Sequence, residues 1–146
     1  MLALGVLVGS LLVSSPAAAG VSCHKTVAKG VGQDLGGGVT QARITGGGLL
    51  TGTTAGSFAI TGFTPPSLAS IGGTVTFTVN RATLVVTVTA TFDVASGAFN
   101  ASGPVTGATG KLAGATGSLS LAGIQDLTTG SFVEDVTGNI CADLSP

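Results

Sequence analysis

The run GTVTFTVNRATLVVTVTATFD, Gly73 to Asp93, alternates residue by residue between two chemistries, and that alternation confines this part of the chain to β structure. Val75, Phe77 and Val79 share one side of a first strand, with Thr74, Thr76 and Thr78 on the other. In the return segment Leu84, Val86, Val88, Ala90 and Phe92 share a face, and Val85, Thr87, Thr89 and Thr91 share the opposite one. Side chains in a strand point alternately to its two faces, whereas a helix would scatter both sets around its circumference. A turn centred on Arg81-Ala82 would set Phe77 against Val86, Val75 against Val88 and Thr76 against Thr87, aligning apolar and threonine faces together. A slip of one residue would put Phe77 against a threonine.

The same chemistry extends through the chain. DVASGAF and DLTTGSF predict hairpin turns over Ala95-Ser96 and Thr128-Thr129, each followed by a left-handed glycine, Gly97 or Gly130. TTAGSF, ending at Phe58, is assigned a turn of similar form. Gly62 to Gly72, with Pro65-Pro66, reads as the longest loop, because proline cannot donate to a sheet ladder. Candidate strands near Ser22–Ala28, Val39–Ile44, Leu49–Thr53, Ser57–Thr61, Thr74–Val79, Thr83–Phe92, Ala98–Ser102, Ser118–Leu121 and Phe132–Ile140 give eight or nine. The unequal spacing of the turns speaks against a solenoid or propeller. The expected fold class is all-β, a single closed antiparallel barrel of about eight strands, since closure removes edges that Val/Thr-rich strands would otherwise expose.

The segment VTGATGKLAGATGSLSLAG, Val105 to Gly123, repeats GATG at Gly107 and Gly114 before an alternating Ser-Leu-Ser-Leu, so it reads as a tight glycine loop feeding a strand. It resembles the TGGTGxFxGAxG-type segment of the allene oxide cyclase and dirigent barrel superfamily, especially its bacterial secreted members, which pair this loop with a GTVTFT-like strand and a closing tG-x-F strand. The resemblance runs from about Gly38 to Leu144 and is most specific over Gly73 to Gly138. It implies a barrel around an apolar cavity, a trimer as the possible homo-oligomer, and, from the plant members, cyclisation or radical coupling of hydrophobic substrates.

At the start of the chain an apolar run from Leu2 to Val13 is shorter than the ~20 residues that a membrane-spanning helix requires. It leads through Ser14-Ser15-Pro16 to Ala17-Ala18-Ala19, an A-x-A exit. Residues 1–19 are therefore expected to be a signal peptide and 20–146 a secreted barrel domain, extracellular or periplasmic after cleavage near Ala19, with no stable membrane anchor. Cys23 and Cys141 then stand near the two ends of the mature chain. An even pair in an exported protein predicts a disulfide between the first and last strands.

Five basic and six acidic side chains, net −1, offer no positive field, so nucleic acid is excluded as a partner. The absence of Tyr and Trp removes the usual aromatic platforms for sugars and protein interfaces. His24 is the sole imidazole and no nucleophile elbow accompanies it, so no catalytic residue is assigned. One His and two oxidised Cys cannot furnish a zinc site, and a single copy of GVGQDL, Gly30 to Leu35, falls short of a tandem calcium roll, so no metal and no cofactor are expected. That segment reads as a glycine-rich loop. Asp93 and Asp126 head similar turns and are expected to cap them, while Glu134 and Asp135 point to opposite faces of one strand.

The leading expectation is a secreted, non-catalytic barrel with a structural role or a small hydrophobic ligand. Its pocket residues are predicted to be Phe58, Phe77, Phe92, Phe99 and Phe132, with Arg81 and Glu134 as candidate polar members. A second reading is a cyclase-, isomerase- or dirigent-like enzyme on hydrophobic substrates, favoured by a cavity holding Arg43, Arg81 or Glu134 beside apolar walls. A third is a surface or adhesion module, favoured by a large exposed apolar or threonine patch.

Overall fold

The computed structural model describes residues 20–145; the expected signal peptide lies outside them. Eight strands follow one another: β1 (Val21–Gly36), β2 (Val39–Gly46), β3 (Gly52–Thr64), β4 (Leu68–Val79), β5 (Ala82–Asp93), β6 (Ala98–Thr109), β7 (Thr116–Gln125) and β8 (Ser131–Asp143). Each pairs antiparallel with its sequence neighbours, and β8 returns to β1 to close the barrel. The patterning thus leads to the all-β, closed antiparallel barrel expected of it.

The connections at residues 37–38, 65–67, 94–97 and 126–130 gather at one end, here the mouth. Those at 47–51, 80–81 and 110–115, with both ends of the barrel chain, form the base. There two 3-10 turns, Gly48–Leu50 and Gly110–Leu112, carry Leu50 and Leu112 into the bore, where both are fully buried. Ile44, Phe77, Leu84, Val86, Val136 and Ile140 pack with them, so the base half is a solid core. Each such side chain contributes about 1.5 to 3 kcal/mol by burial.

The central hairpin keeps its predicted faces but not its predicted register. Phe77 pairs with Leu84, Val75 with Val86 and Thr76 with Val85, a shift of two residues from the Phe77–Val86 and Thr76–Thr87 pairing. Period-two patterning cannot detect such a shift, because it returns every side chain to the same face. The turn decides it: the connection is the two residues Asn80-Arg81, with Asn80 at φ 56°, a left-handed conformation that asparagine tolerates. This tighter turn adds Val79–Ala82 to the ladder.

Two predicted breaks are also absent and a third is shortened. TTAGSF is the interior of β3, which runs unbroken through the predicted Ser57–Thr61 segment; of the predicted Leu49–Thr53 strand only Gly52 and Thr53 belong to β3, Leu49 and Leu50 lying instead in the 3-10 turn Gly48–Leu50. The Gly62–Gly72 loop contracts to a three-residue connection, 65–67, because β3 and β4 both continue toward it. Gly30 to Leu35 lies within β1. At TTAGSF and at Gly30 to Leu35 local glycine content suggests interruption, whereas pairing on both sides carries the strand through; at Pro65-Pro66 the chain still turns, but only over three residues.

The two Asp-headed turns form as predicted. Gly97 and Gly130 have φ 81° and 78° and donate to the carbonyls of Asp93 and Asp126 at 2.8 Å. Asp93 Oδ1 accepts from the amides of Ala95 and Ser96, and Asp126 Oδ1 from those of Thr128 and Thr129. The Ala95 amide first, then the Ser67 hydroxyl and the Ser96 amide, hold the Asp93 carboxyl below the usual range.

On the outer wall the threonines bond across strands, Thr83 to Thr109 at 2.6 Å and Thr87 to Thr106 at 2.8 Å. Cys23 and Cys141 stand directly opposite on β1 and β8, Cα atoms 3.9 Å apart, and are disulfide-bonded on that outer face.

Thr26, in the core with 1% of its surface exposed, leaves its hydroxyl oxygen without a hydrogen-bond partner. Such an orphan costs free energy that valine, of nearly the same shape, does not. Thr26→Val is expected to raise the unfolding free energy by about 1 kcal/mol, read from denaturant midpoints at unchanged m. A destabilised variant would mean that the hydroxyl has a partner.

Candidate functional site

Above the packed base the bore is open. A cavity of about 180 Å³ lies below the mouth, walled by Phe58 of β3, Phe92 of β5, Phe99 of β6 and Phe132 of β8, with Val75 and Leu121 toward its floor. Three of these phenylalanines face a glycine across the ladder: Phe58 opposite Gly73, Phe99 opposite Gly123 and Phe132 opposite Gly32. A Cβ at Gly73 or Gly123 would stand 2.8 Å from the ring opposite, and one at Gly32 would collide with the Phe132 ring. The rings therefore lie against the wall over their glycines instead of crossing the bore, which is why space remains. Phe99 and Phe132 also meet edge to face, centroids 5.8 Å apart at 89°.

The structure gathers Phe58, Phe92, Phe99, Phe132 and Glu134 around one space and leaves two predicted pocket members elsewhere. Phe77 is fully buried in the packed base, and Arg81 is exposed in the β4–β5 turn at the opposite end. Arg43 projects outward from β2. His24, beside the disulfide near the base, bonds Ser22 Oγ at 3.0 Å and does not line the cavity. Sequence reasoning missed the glycines: Gly32, Gly73 and Gly123 are strand residues whose missing side chains seat the rings. The signal was present, since glycine inside a strand pattern marks close approach of other atoms.

Glu134 is the buried acid of the cavity, with Thr54 as a second buried polar residue in the lining. It points inward from β8 with 8% of its surface exposed, while its neighbour Asp135 points outward and pairs with Lys29. Across the ladder stands Gly30, where a Cβ would come within 2.6 Å of Glu134 Oε1, so this glycine too clears room for a side chain opposite. Burial among apolar walls pushes the carboxyl up to about 7. Nearer the rim, Asp34 accepts from Gln125 Nε2 at 3.1 Å and from the Gly36 amide at 2.8 Å. Thr40, Thr54 and Thr91 complete the polar lining, and among the described residues no Lys, Arg or His borders the space. Among the described residues no cluster of three His, Cys, Asp or Glu is placed to hold a metal ion.

The raised carboxyl has a measurable consequence for stability. Folded Glu134 keeps its proton up to about pH 7, whereas the unfolded residue releases it near 4.5. The unfolded state therefore binds fewer protons between those values, and stability falls as pH rises through that window. Above it the penalty is fully present, on the order of 3 kcal/mol. Glu134→Gln is expected to match wild type below pH 4.5 and to exceed it increasingly up to pH 7, followed by urea unfolding at several pH values. Parallel pH profiles for the two proteins would contradict this.

No family model, curated protein or solved structure matches this chain.

Proposed function

We propose that the protein binds a small apolar molecule inside its barrel. The observation that carries this reading is the open, phenylalanine-walled cavity above a packed base. A barrel with a purely structural role would fill its interior throughout. An apolar cavity of roughly 150 Å³ is known to accept benzene, so this space, open at one end, suits a ligand of one or two rings or an equivalent hydrocarbon. The resemblance to the allene oxide cyclase and dirigent barrels points the same way, because their barrels enclose apolar cavities. The disulfide and the apolar leader-like segment together support export, with the barrel working outside the reducing cytoplasm.

The test is direct titration with 2-naphthylmethanol. At about half a kcal/mol per non-hydrogen atom, a Kd on the order of 10⁻⁵ M is expected. Ala101→Phe, which places a ring into the cavity, should weaken binding at least tenfold. Absence of saturable binding to wild type, or equal binding by the filled variant, would remove this reading.

One observation favours the enzymatic alternative: a carboxyl poised near neutral pH beside apolar walls is what proton-transfer catalysts display. In that case Glu134 would remove and return a proton next to a bound carbonyl. Catalysed α-deuteration of 2-tetralone in D₂O, seen by NMR and lost in Glu134→Gln, would favour the enzyme. Exchange no faster than in buffer leaves the binding protein.

A further inference from the structure

We infer that the cavity selects apolar molecules carrying a protonated amine, with the ammonium group held by the Glu134 carboxylate; the inference rests on the binding reading above. Glu134 is buried, with 8% of its surface exposed; it lines the cavity, its oxygens are not sealed off from that space, and it makes no side-chain hydrogen bond or ion pair among the described residues. A buried carboxylate without a partner is costly, and a glutamine or leucine there would remove the cost. The chain instead clears space for it with Gly30 and leaves its charge unanswered.

The charged groups on the surrounding strands do not supply the missing cation. On β1, Lys25 and Lys29 point outward, the latter to Asp135, and His24 lies near the base. On β2, Arg43 is external; β7 and β3 carry no titratable side chain, and on β8 Asp135 and Asp143 are exposed. Among the described residues the other ionisable group at the cavity is Asp34, a second acid near the rim. A ligand entering from the mouth thus passes one carboxyl and reaches another, between aromatic faces that also favour a cation. A neutral ligand offers the carboxylate no counter-charge, and an anionic one is repelled. An ammonium supplies both the counter-charge and the donors that the carboxylate lacks.

Occupancy by such a ligand favours ionised Glu134, so amine affinity should rise with pH. An alcohol of the same skeleton should behave oppositely, because its binding further desolvates a carboxylate. The experiment is calorimetric titration of the whole barrel with 2-naphthylmethylamine and 2-naphthylmethanol, at pH 8 and pH 5.5, on wild type, Glu134→Gln and Asp34→Asn. Wild type at pH 8 should bind the amine at least tenfold more tightly than the alcohol. That preference should vanish at pH 5.5 and in Glu134→Gln, and survive in Asp34→Asn.

Equal affinity for the two probes at pH 8, a preference that persists in Glu134→Gln, or one abolished only by Asp34→Asn would overturn the inference while leaving the binding reading intact. Failure of both probes to bind wild type would overturn the binding reading and the inference with it.

Discussion

Replacing Phe77 with alanine is expected to lower the unfolding free energy by about 3 to 5 kcal/mol, whereas Thr76→Ser, one residue away, should cost well under 1 kcal/mol. Phe77 is fully buried where the base core is densest, among side chains that cannot collapse into the void because they belong to a closed wall. Its loss combines the transfer free energy of the ring with the cavity left behind. Thr76 faces outward opposite Val85, and serine keeps its hydroxyl. Urea melts of the two variants under identical conditions give the contrast. Two equally mild losses would contradict the position of Phe77 in a packed base. Because Phe77 lies below the cavity rather than on it, a milder variant such as Phe77→Leu should leave the affinity for 2-naphthylmethanol within a few-fold of wild type.

Removing the disulfide is expected to have a comparable or larger effect by a different route. Cys23 and Cys141 are 118 residues apart in sequence. In the chain-entropy model a loop of that size restricts the unfolded state enough to contribute about 4 to 5 kcal/mol. Both side chains lie on the outer wall, so Cys23→Ala/Cys141→Ala opens no hole in the core, and the whole loss comes from the freed unfolded chain. A fall in Tm on the order of 15 °C follows for a domain of this length. Thiol titration of the unfolded, unreduced protein should find no free thiol; two reactive thiols per chain would contradict the bond.

The fold was legible because alternation acts over many residues at once. Val75, Phe77, Leu84, Val86 and Val88 are inward, as period two requires, whatever the register. Register was not legible, since it depended on whether Asn80 accepts a left-handed turn, a choice that leaves no trace in the faces. The unbroken β3 was hidden for a related reason: Gly56 looks like a break locally but is held in the strand by its neighbours on both sides. Of the candidate site, Phe99 and Phe132 were visible because each follows an Asp-headed turn, and Phe92 and Glu134 because they alternate with outward residues, whereas Phe58 was singled out through a turn that the structure replaces with continuous strand. Phe77 could not be separated from them. Whether an inward phenylalanine packs or lines a cavity depends on its height in the bore, which register and the two leucine-bearing turns set together.

Seven peptide connections join β1 to β8 in order, and the remaining junction, where β8 meets β1, is made by Cys23–Cys141. The barrel is therefore a covalent circuit in which sulfur occupies the place of the eighth loop. A circuit has no intrinsic first strand. A short peptide from Asp143 to Val21, adjacent partners across that junction, could take over the sulfur's role, with the chain reopened at any mouth turn. The order in which this sequence spells its strands is then one of several equivalent ways of cutting the same ring.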